Sequence, residues 1–136
     1  MKTGSLFLRL VMVGSFLILA NDIPLAQTQQ VTRTELQRVA VSDLPGREGV
    51  MYKGVFAPGG KAAKHTHPGD EFVYVLKGTV IVEAEGKAPV TLKAGDTFHQ
   101  PKGAPHTARN GSTTESAEVL VFMVVEPGKP LATAVE

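Results

Sequence analysis

The chain contains no cysteine, and this absence excludes several structural and chemical solutions. Disulfide bonds and thiolate metal ligands are ruled out, so stability must come from packing and from any bound metal. A lipid-anchored exported protein would also need a cysteine near its cleavage site. The lack of cysteine fits an oxidising compartment without proving one.

A strong excess of one charge is also missing, since the chain has 14 basic and 13 acidic residues. Removing residues 1–26 takes away Lys2, Arg9 and Asp22, which leaves 12 residues of each sign. Such a balance attracts neither nucleic acid nor an anionic membrane surface, and no helix-turn-helix pattern is present. We therefore expect no nucleic-acid partner.

A long hydrophobic run occurs near the N-terminus, where eleven apolar or small residues extend from Leu10 to Ala20. Lys2 and Arg9 precede the run and Ala26 follows it, which is the layout of a secretory signal peptide. The run is too short to span a bilayer comfortably. Residues 1–26 are thus expected to be cleaved after Ala26, which predicts a periplasmic or secreted protein without stable membrane insertion. An uncleaved membrane anchor is the alternative.

A convincing helix is lacking beyond the signal, and the rest reads as short alternating segments separated by glycine and proline. This pattern predicts an all-β sandwich or barrel. Residues 27–34 are polar and are predicted to be a linker, and 35–136 form one domain with its core at about 50–126. Strands are predicted at 35–41, 49–56, 71–76, 78–85, 90–93, 97–100, 106–110 and 118–126.

The predicted strand at 71–76 is apolar on both faces, and so is the segment 119–125. A barrel has one interior, so the second faces need cover. Packing of these outer faces in a homodimer is the prediction, and cover by the N-terminal segment at 36–41 is the alternative. The two faces are Glu71, Val73 and Val75 on one side and Phe72, Tyr74 and Leu76 on the other.

Three of the four histidines have a spacing that suits metal binding. His65 and His67 are two residues apart, so on a strand they point to the same face. Glu71 and His106 can complete a set of three imidazoles and one carboxylate. This set suits a first-row divalent metal and is too rich in nitrogen for calcium or magnesium.

Two stretches of the chain resemble the paired motifs of the cupin superfamily, at ten specified positions with fixed spacing. The first stretch carries Gly59, His65, His67, Glu71 and Gly78. The second stretch carries Gly95, Pro101, Gly103, His106 and Asn110. The resemblance covers about residues 50–126 and is to small single-domain bacterial cupins described as quercetin-dioxygenase-like.

The resemblance implies a double-stranded β-helix, or jelly roll, that binds one divalent metal through His65, His67, Glu71 and His106. It implies a metal-dependent enzyme for a small organic molecule, foremost a dioxygenase-type oxidoreductase in which Glu71 is a catalytic base as well as a ligand. The alternatives are a Lewis-acid isomerase, lyase or hydrolase for a sugar or keto acid, and a non-catalytic protein that binds a metal or small ligand. Fe, Mn, Ni, Cu and Zn all accept this ligand set, so the metal stays open.

Other polar residues near the motifs have plainer interpretations. Strand alternation places Asp70 opposite Glu71, and His99 opposite its neighbours, so both are expected to face outward, with a catalytic base as the alternative for His99. Asn110 is expected to tie a loop by side-chain hydrogen bonds to backbone groups. We expect the two tyrosines to be packing residues and the three cations to be solvated surface residues, and we prefer these roles to functional ones. The residues are Tyr52, Tyr74, Lys64, Lys102 and Arg109.

Overall fold

The computed structural model describes residues 30–136, so the predicted signal peptide at 1–26 and the start of the predicted linker at 27–34 lie outside this part. Residues 30–136 form ten β-strands and no helix, which confirms the all-β prediction. This part of the chain accordingly has no helix that could cross a membrane. The strands are β1 (Val31–Ala40), β2 (Glu48–Phe56), β3 (Lys61–Thr66), β4 (Glu71–Lys77), β5 (Thr79–Ala84), β6 (Val90–Lys93), β7 (Thr97–Gln100), β8 (His106–Asn110), β9 (Ala117–Val125) and β10 (Thr133–Ala134).

The strands form two antiparallel sheets of five strands each. Sheet A has the order β1-β2-β9-β4-β7, and sheet B has the order β10-β3-β8-β5-β6. Alternate side chains of each strand point to the same side, so the inner faces of the two sheets can bury one apolar core between them. This arrangement confirms the predicted jelly roll. The buried core consists of Val50, Tyr52, Phe56, Val75, Val80, Val82, Leu92, Ala117, Val119, Val121, Met123 and Val125.

Strand β4 lies inside sheet A between β9 and β7, and it has the two faces that its sequence predicts. Its inner face carries Glu71 and Val75, which are buried, and Val73, which is half-buried. Its outer face carries Phe72, Tyr74 and Leu76, which are exposed. The outer face of sheet A is therefore apolar and open to solvent.

Strand β1 begins at Val31, so the predicted linker is too long by residues 31–34. The strand pairs with β2 at the edge of sheet A, where its backbone satisfies the hydrogen-bonding groups of that edge. This position leaves the outer face of the sheet uncovered within residues 30–136, with Phe72 50% and Phe122 37% exposed. Cover of that face by residues 36–41, the alternative to a dimer, is therefore wrong.

Strands β3 and β10 were absent from the predicted set. Strand β3 has the sequence KAAKHT, in which small and charged residues hide the alternation that marks a half-buried strand. Pairing with β8 on one side and with the two-residue β10 on the other holds it in sheet B. Tertiary pairing, not local hydrophobicity, thus makes β3 a strand.

Gly78 joins β4 to β5 in a conformation that only glycine adopts readily. Its φ is 75°, and a Cβ atom added here would lie 3.0 Å from the Cα atom of Ala117 and from the carbonyl oxygen of Ser116. Gly95 and Gly103 also have a positive φ. The turn brings β4 and β5 into different sheets, and its tight fit against β9 leaves no room for a side chain.

Candidate metal centre

The four predicted ligands come from both sheets and meet between them. His65 lies on β3 and pairs directly with His106, the first residue of β8. His67 follows the end of β3, and Glu71 is the first residue of β4 in sheet A. All four side chains are buried although all are polar or charged. Burial of so many polar groups together requires a compensating partner for each.

The ligand atoms converge on one point. The Nε2 atoms of His65 and His67 are 3.1 Å apart, and the Nε2 atom of His67 is 3.3 Å from Oε2 of Glu71. The Nε2 atom of His106 is 3.7 Å from the same Oε2 atom, and the three histidines offer ligand atoms all within 4.8 Å of one another. Ligands about 2.1 Å from one metal at right angles would be about 3 Å apart. The separations therefore suit a single ion.

The other ring nitrogen of each histidine is held by a backbone carbonyl. Nδ1 of His65 donates to the oxygen of Ala63 at 2.7 Å, and Nδ1 of His67 donates to the oxygen of Leu131 at 2.6 Å. Nδ1 of His106 lies 3.3 Å from the oxygen of Ala104. A carbonyl can only accept, so each Nδ1 carries the proton and each Nε2 is directed at the common point. The Nε2 atoms of His65 and His67 are 3.1 Å apart, and their lone pairs repel each other unless a proton or a metal ion lies between them.

Burial and mutual charge set the protonation of this cluster. Burial lowers the pKa of His65 to about 4 and also holds the pKa of His106 below its ordinary value, so both imidazoles are neutral at neutral pH. Burial pushes the pKa of Glu71 upward, but the hydrogen bond and charge of His67 outweigh this effect and leave the pKa lowered. For His67 burial acts downward, and the contact with Glu71 outweighs it and raises the pKa. A carboxylate and two neutral imidazoles are therefore ready for a divalent cation.

Tyr52, which the sequence suggested to be a packing residue, also contacts the site. Its hydroxyl donates a hydrogen bond to Oε1 of Glu71 at 3.1 Å, while Oε2 of the same carboxylate faces the histidines. Burial raises the pKa of Tyr52, the charge of Glu71 raises it further, and the nearby guanidinium of Arg33 acts in the opposite direction. The phenol thus stays protonated and fixes the orientation of the carboxylate. No sequence motif marks this residue, because β2 reaches the site through sheet pairing.

Gln100 and Asn110 hold the backbone around the ligands. The buried side chain of Gln100 donates to the carbonyl oxygen of Ala104 at 2.9 Å, the same oxygen that Nδ1 of His106 approaches. Nδ2 of Asn110 lies within hydrogen-bond distance of three backbone oxygens, and its Oδ1 accepts from the amide of Ser112 at 2.9 Å. The loop-tying role predicted for Asn110 is therefore confirmed. The three oxygens belong to Phe56, Ala57 and Glu115.

A cavity of about 50 Å³ lies beside the cluster in the space between the two sheets. Its polar wall includes His65, Glu71, His106 and Tyr52, and Arg33 of β1 borders it as well. The remaining walls are mainly apolar. A molecule of a few non-hydrogen atoms fits such a space, whereas a benzene-sized ligand needs about 150 Å³. Arg33 was not among the sequence-based candidates, because a charge on a polar N-terminal segment reads as a surface residue.

The remaining candidates lie outside this cavity. His99 is on the outer face of sheet A, where Nε2 is 3.0 Å from Oδ1 of the exposed Asp70 and the ring stacks on Phe72. This confirms the outward orientation of Asp70 and His99, and a catalytic role for His99 at the metal is wrong. Lys102 and Arg109 make ion pairs on the surface, with Glu126 and Glu83 respectively.

Three comparisons place these features among known proteins. A family model described as a cupin domain matches residues 53–125. Germin-like protein 5-1 of Oryza sativa subsp. japonica is 38% identical over 96 residues, which are 65% of this chain and 43% of that protein. Oxalate oxidase 2 of Hordeum vulgare is 34% identical over 99 residues, which are 65% of this chain and 44% of that protein. The chain therefore spans less than half the length of these relatives.

Solved structures show the same fold. A cupin-like protein from Thermotoga maritima superposes with a TM-score of 0.61 at 23% identity, over 77% of this chain and 75% of that one. An oxalate oxidase in complex with the substrate analogue glycolate superposes with a TM-score of 0.57 at 27% identity, over 75% of this chain and 57% of that one. The fold is thus the cupin double-stranded β-helix. Because the cupin family model matches more than half of this chain, the chain belongs to the cupin family.

Proposed function

We propose that this protein is a metal-dependent oxidoreductase of the dioxygenase type, acting on a small organic molecule. The ligands are His65, His67, Glu71 and His106. One observation carries the proposal: three imidazole nitrogens and a carboxylate oxygen converge beside a cavity with an apolar wall, and neighbouring pairs of these atoms are 3.1, 3.3 and 3.7 Å apart. A site that served structure alone would not need an adjoining cavity.

The ligand set suits redox chemistry. Neutral imidazoles and one carboxylate leave a divalent ion with a formal charge of about +1, and four side chains leave one or two positions of a five- or six-coordinate ion open. When bound, a redox-active metal supplies electron transfer between the substrate and dioxygen. We do not assign the metal beyond a first-row divalent ion, because Fe, Mn, Ni, Cu and Zn all accept these donors.

The side chains around the ligands have separate tasks. Tyr52 holds Oε1 of Glu71, which keeps Oε2 turned toward the histidines and able to take up a substrate proton. The apolar wall includes Val73, Phe98 and Val121, which exclude bulk water from the reacting centre. Exclusion of water strengthens each electrostatic interaction within the cavity.

The relatives support an oxidoreductase over the other cupin activities. Among them are oxalate oxidases, named for oxidation of a small dicarboxylic acid, and one solved oxalate oxidase holds glycolate as a substrate analogue. Their identity to this chain is 27–34%, and the match covers about half of their length. This similarity favours the reaction class.

Metal analysis combined with oxygen uptake tests the proposal. Protein purified from its native compartment is expected to contain about one iron, manganese, copper or nickel ion per chain, and to consume dioxygen with a substrate found by screening small organic acids and alcohols. A His106→Ala variant serves as the inactive control. Zinc as the sole metal, with turnover but no oxygen uptake, would contradict the dioxygenase type and favour Lewis-acid chemistry. If the protein contains metal but turns over no substrate, it is a non-catalytic protein that binds a metal or small ligand.

A further inference from the structure

Arg33, on the edge strand β1, borders the cavity inside the barrel. In the register of sheet A it pairs with Gly54, and two residues earlier Val31 pairs with Phe56. Residues two apart share a face, and Val31 packs against the core, so Arg33 is directed inward too. Gly54 has no side chain, and Gly54 and Arg33 both line the cavity.

Arg33 stands where two spaces of the protein meet. It borders the metal cavity, and it also borders an open groove of about 340 Å³ on the adjacent surface. His65 lines both spaces as well. The side chain of Arg33 is exposed to solvent. The groove and the cavity therefore adjoin, and Arg33 lies on the boundary between them.

The groove beside Arg33 is positively charged. The ionisable side chains that line the groove are Arg33, Lys61, Lys64 and His65, and none of its lining residues is acidic. Lys64 has two distant partners, since its Nζ atom lies 3.9 Å from Oε2 of Glu85 and 3.5 Å from the backbone oxygen of Glu136. Among the ion pairs formed within residues 30–136, none involves Arg33. The one carboxylate of the cavity wall, Glu71, is already engaged by Tyr52 and the histidines.

We propose that Arg33 binds the carboxylate group of the substrate, so that this site is specific for small aliphatic carboxylate anions that enter through the groove. The proposal rests on the function proposed above and names the substrate class of the same site. A guanidinium offers a planar pair of N–H donors that matches a carboxylate, and its weak hydration favours pairing at a partly dry site. The cavity of about 50 Å³ limits the remainder of the substrate to a few carbon or oxygen atoms.

The test compares a charged ligand with its neutral counterpart. Zinc-loaded protein, which is diamagnetic, is titrated with glycolate and with glycolamide while amide chemical shifts are followed by NMR. Inorganic phosphate is a third ligand. The variants are Arg33→Gln, Arg33→Lys and the matched control Arg38→Gln, which alters an arginine of the same strand that pairs with Glu35 and Glu48 outside the cavity. Zinc content of each variant is measured separately.

Wild type and Arg38→Gln are expected to bind glycolate equally, at least tenfold more tightly than glycolamide. Arg33→Gln should bind glycolate about 10- to 100-fold more weakly with unchanged zinc content, and Arg33→Lys should recover part of the loss. Unchanged glycolate binding in Arg33→Gln overturns the proposal, as does equal binding of glycolamide, no glycolate binding, or tighter binding of phosphate by wild type.

Metal loss and anion loss give separate signals. A wild-type protein that takes up no zinc contradicts the proposed metal site, and the glycolate titration is then run on that protein to judge Arg33 alone. An Arg33 effect that persists there supports anion binding without the metal chemistry, whereas its absence there overturns the inference about Arg33.

Discussion

His65 is the proposed ligand at which the metal site is most simply tested. In the proposed site it supplies one of four donor atoms, and no cysteine can replace it. His65→Ala is expected to abolish metal binding, measured by elemental analysis of the purified protein. His99→Ala is the matched control, because His99 lies on the outer face of sheet A.

The same pair of variants predicts a difference in thermal melting. A metal that binds only the native state stabilises it by about 2.7 kcal/mol at a hundredfold excess over its dissociation constant. Wild type and His99→Ala should therefore melt at a lower temperature after chelation, and His65→Ala should melt at the same temperature with and without chelator. Equal metal content in His65→Ala and wild type would show that the ligand assignment is mistaken.

We expect Tyr52 to act on a bound metal through Glu71, and a phenylalanine in its place tests that role. Tyr52→Phe keeps the packing of the ring but removes the 3.1 Å hydrogen bond to Oε1 of the carboxylate. Loss of a residue that orients a ligand costs about 10- to 100-fold in metal affinity. Competition with a coloured chelator should show this loss, while Tyr74→Phe, changed on the exposed outer face, should match wild type.

The turn between β4 and β5 offers a test of backbone geometry at the level of one element. Gly78 and Gly86 have nearly equal φ values of 75° and 72°, but a Cβ atom meets backbone atoms of β9 at Gly78 and nothing within 4 Å at Gly86. Alanine at either position carries the left-handed penalty of about 1–2 kcal/mol. Gly78→Ala should cost about 1 kcal/mol or more beyond Gly86→Ala in urea unfolding, because the packed strand must shift. Equal losses would mean that the close approach is unimportant.

The edge strand β1 places Arg33 at the cavity, and its register is not uniform along its length. A bulge between Glu35 and Gln37 shifts the pairing with β2, so the strand changes which residues face inward. Before the bulge Arg33 lies opposite Gly54, and after it Arg38 lies opposite the buried Val50 but forms ion pairs with Glu35 and Glu48. Two arginines on one strand thus have different surroundings, which makes them a matched pair for substitution.

At the level of the whole molecule, the open outer face of sheet A predicts a homodimer. Phe72, Tyr74 and Phe122 are 50%, 45% and 37% exposed on this face, and two-fold packing of one patch is the usual closed solution. Phe122→Glu or Tyr74→Glu should shift the protein toward monomer and lower its solubility, as seen by light scattering. Val90→Glu, at an exposed apolar residue of sheet B, should leave the mass unchanged. A monomer mass for wild type at tens of micromolar would exclude the dimer.

Export is the second property of the whole chain that can be tested. The charged start, the apolar run and the small residues that follow it predict cleavage after Ala26 and a periplasmic or secreted protein. N-terminal sequencing of native protein should therefore begin near Gln27. An intact Met1 in a cytosolic fraction would contradict this prediction.

Much of the fold follows from local patterns in the sequence. The bounds of β6, β7 and β8 agree with the predicted segments, and the two faces of β4 follow from strict alternation of its side chains. The spacing of His65, His67 and Glu71 is short enough that a strand and one turn bring them together. His106 joins them because β8 pairs with β3, a neighbourhood that the motif resemblance implies and that single-segment reasoning does not supply.

The sequence by itself therefore determined the all-β class, the ligand candidates and the outward position of His99, since each depends on alternation or spacing over a few residues. Tertiary structure alone decided that β3 is a strand, that Tyr52 holds Glu71, and that Arg33 borders the cavity. These features depend on which strands pair and in what register, and that choice is made by burial and backbone hydrogen bonding across the whole barrel. A local pattern carries no record of the partner strand, so it does not show that a tyrosine predicted to be core contacts Glu71 or that an arginine of the N-terminal segment borders the cavity.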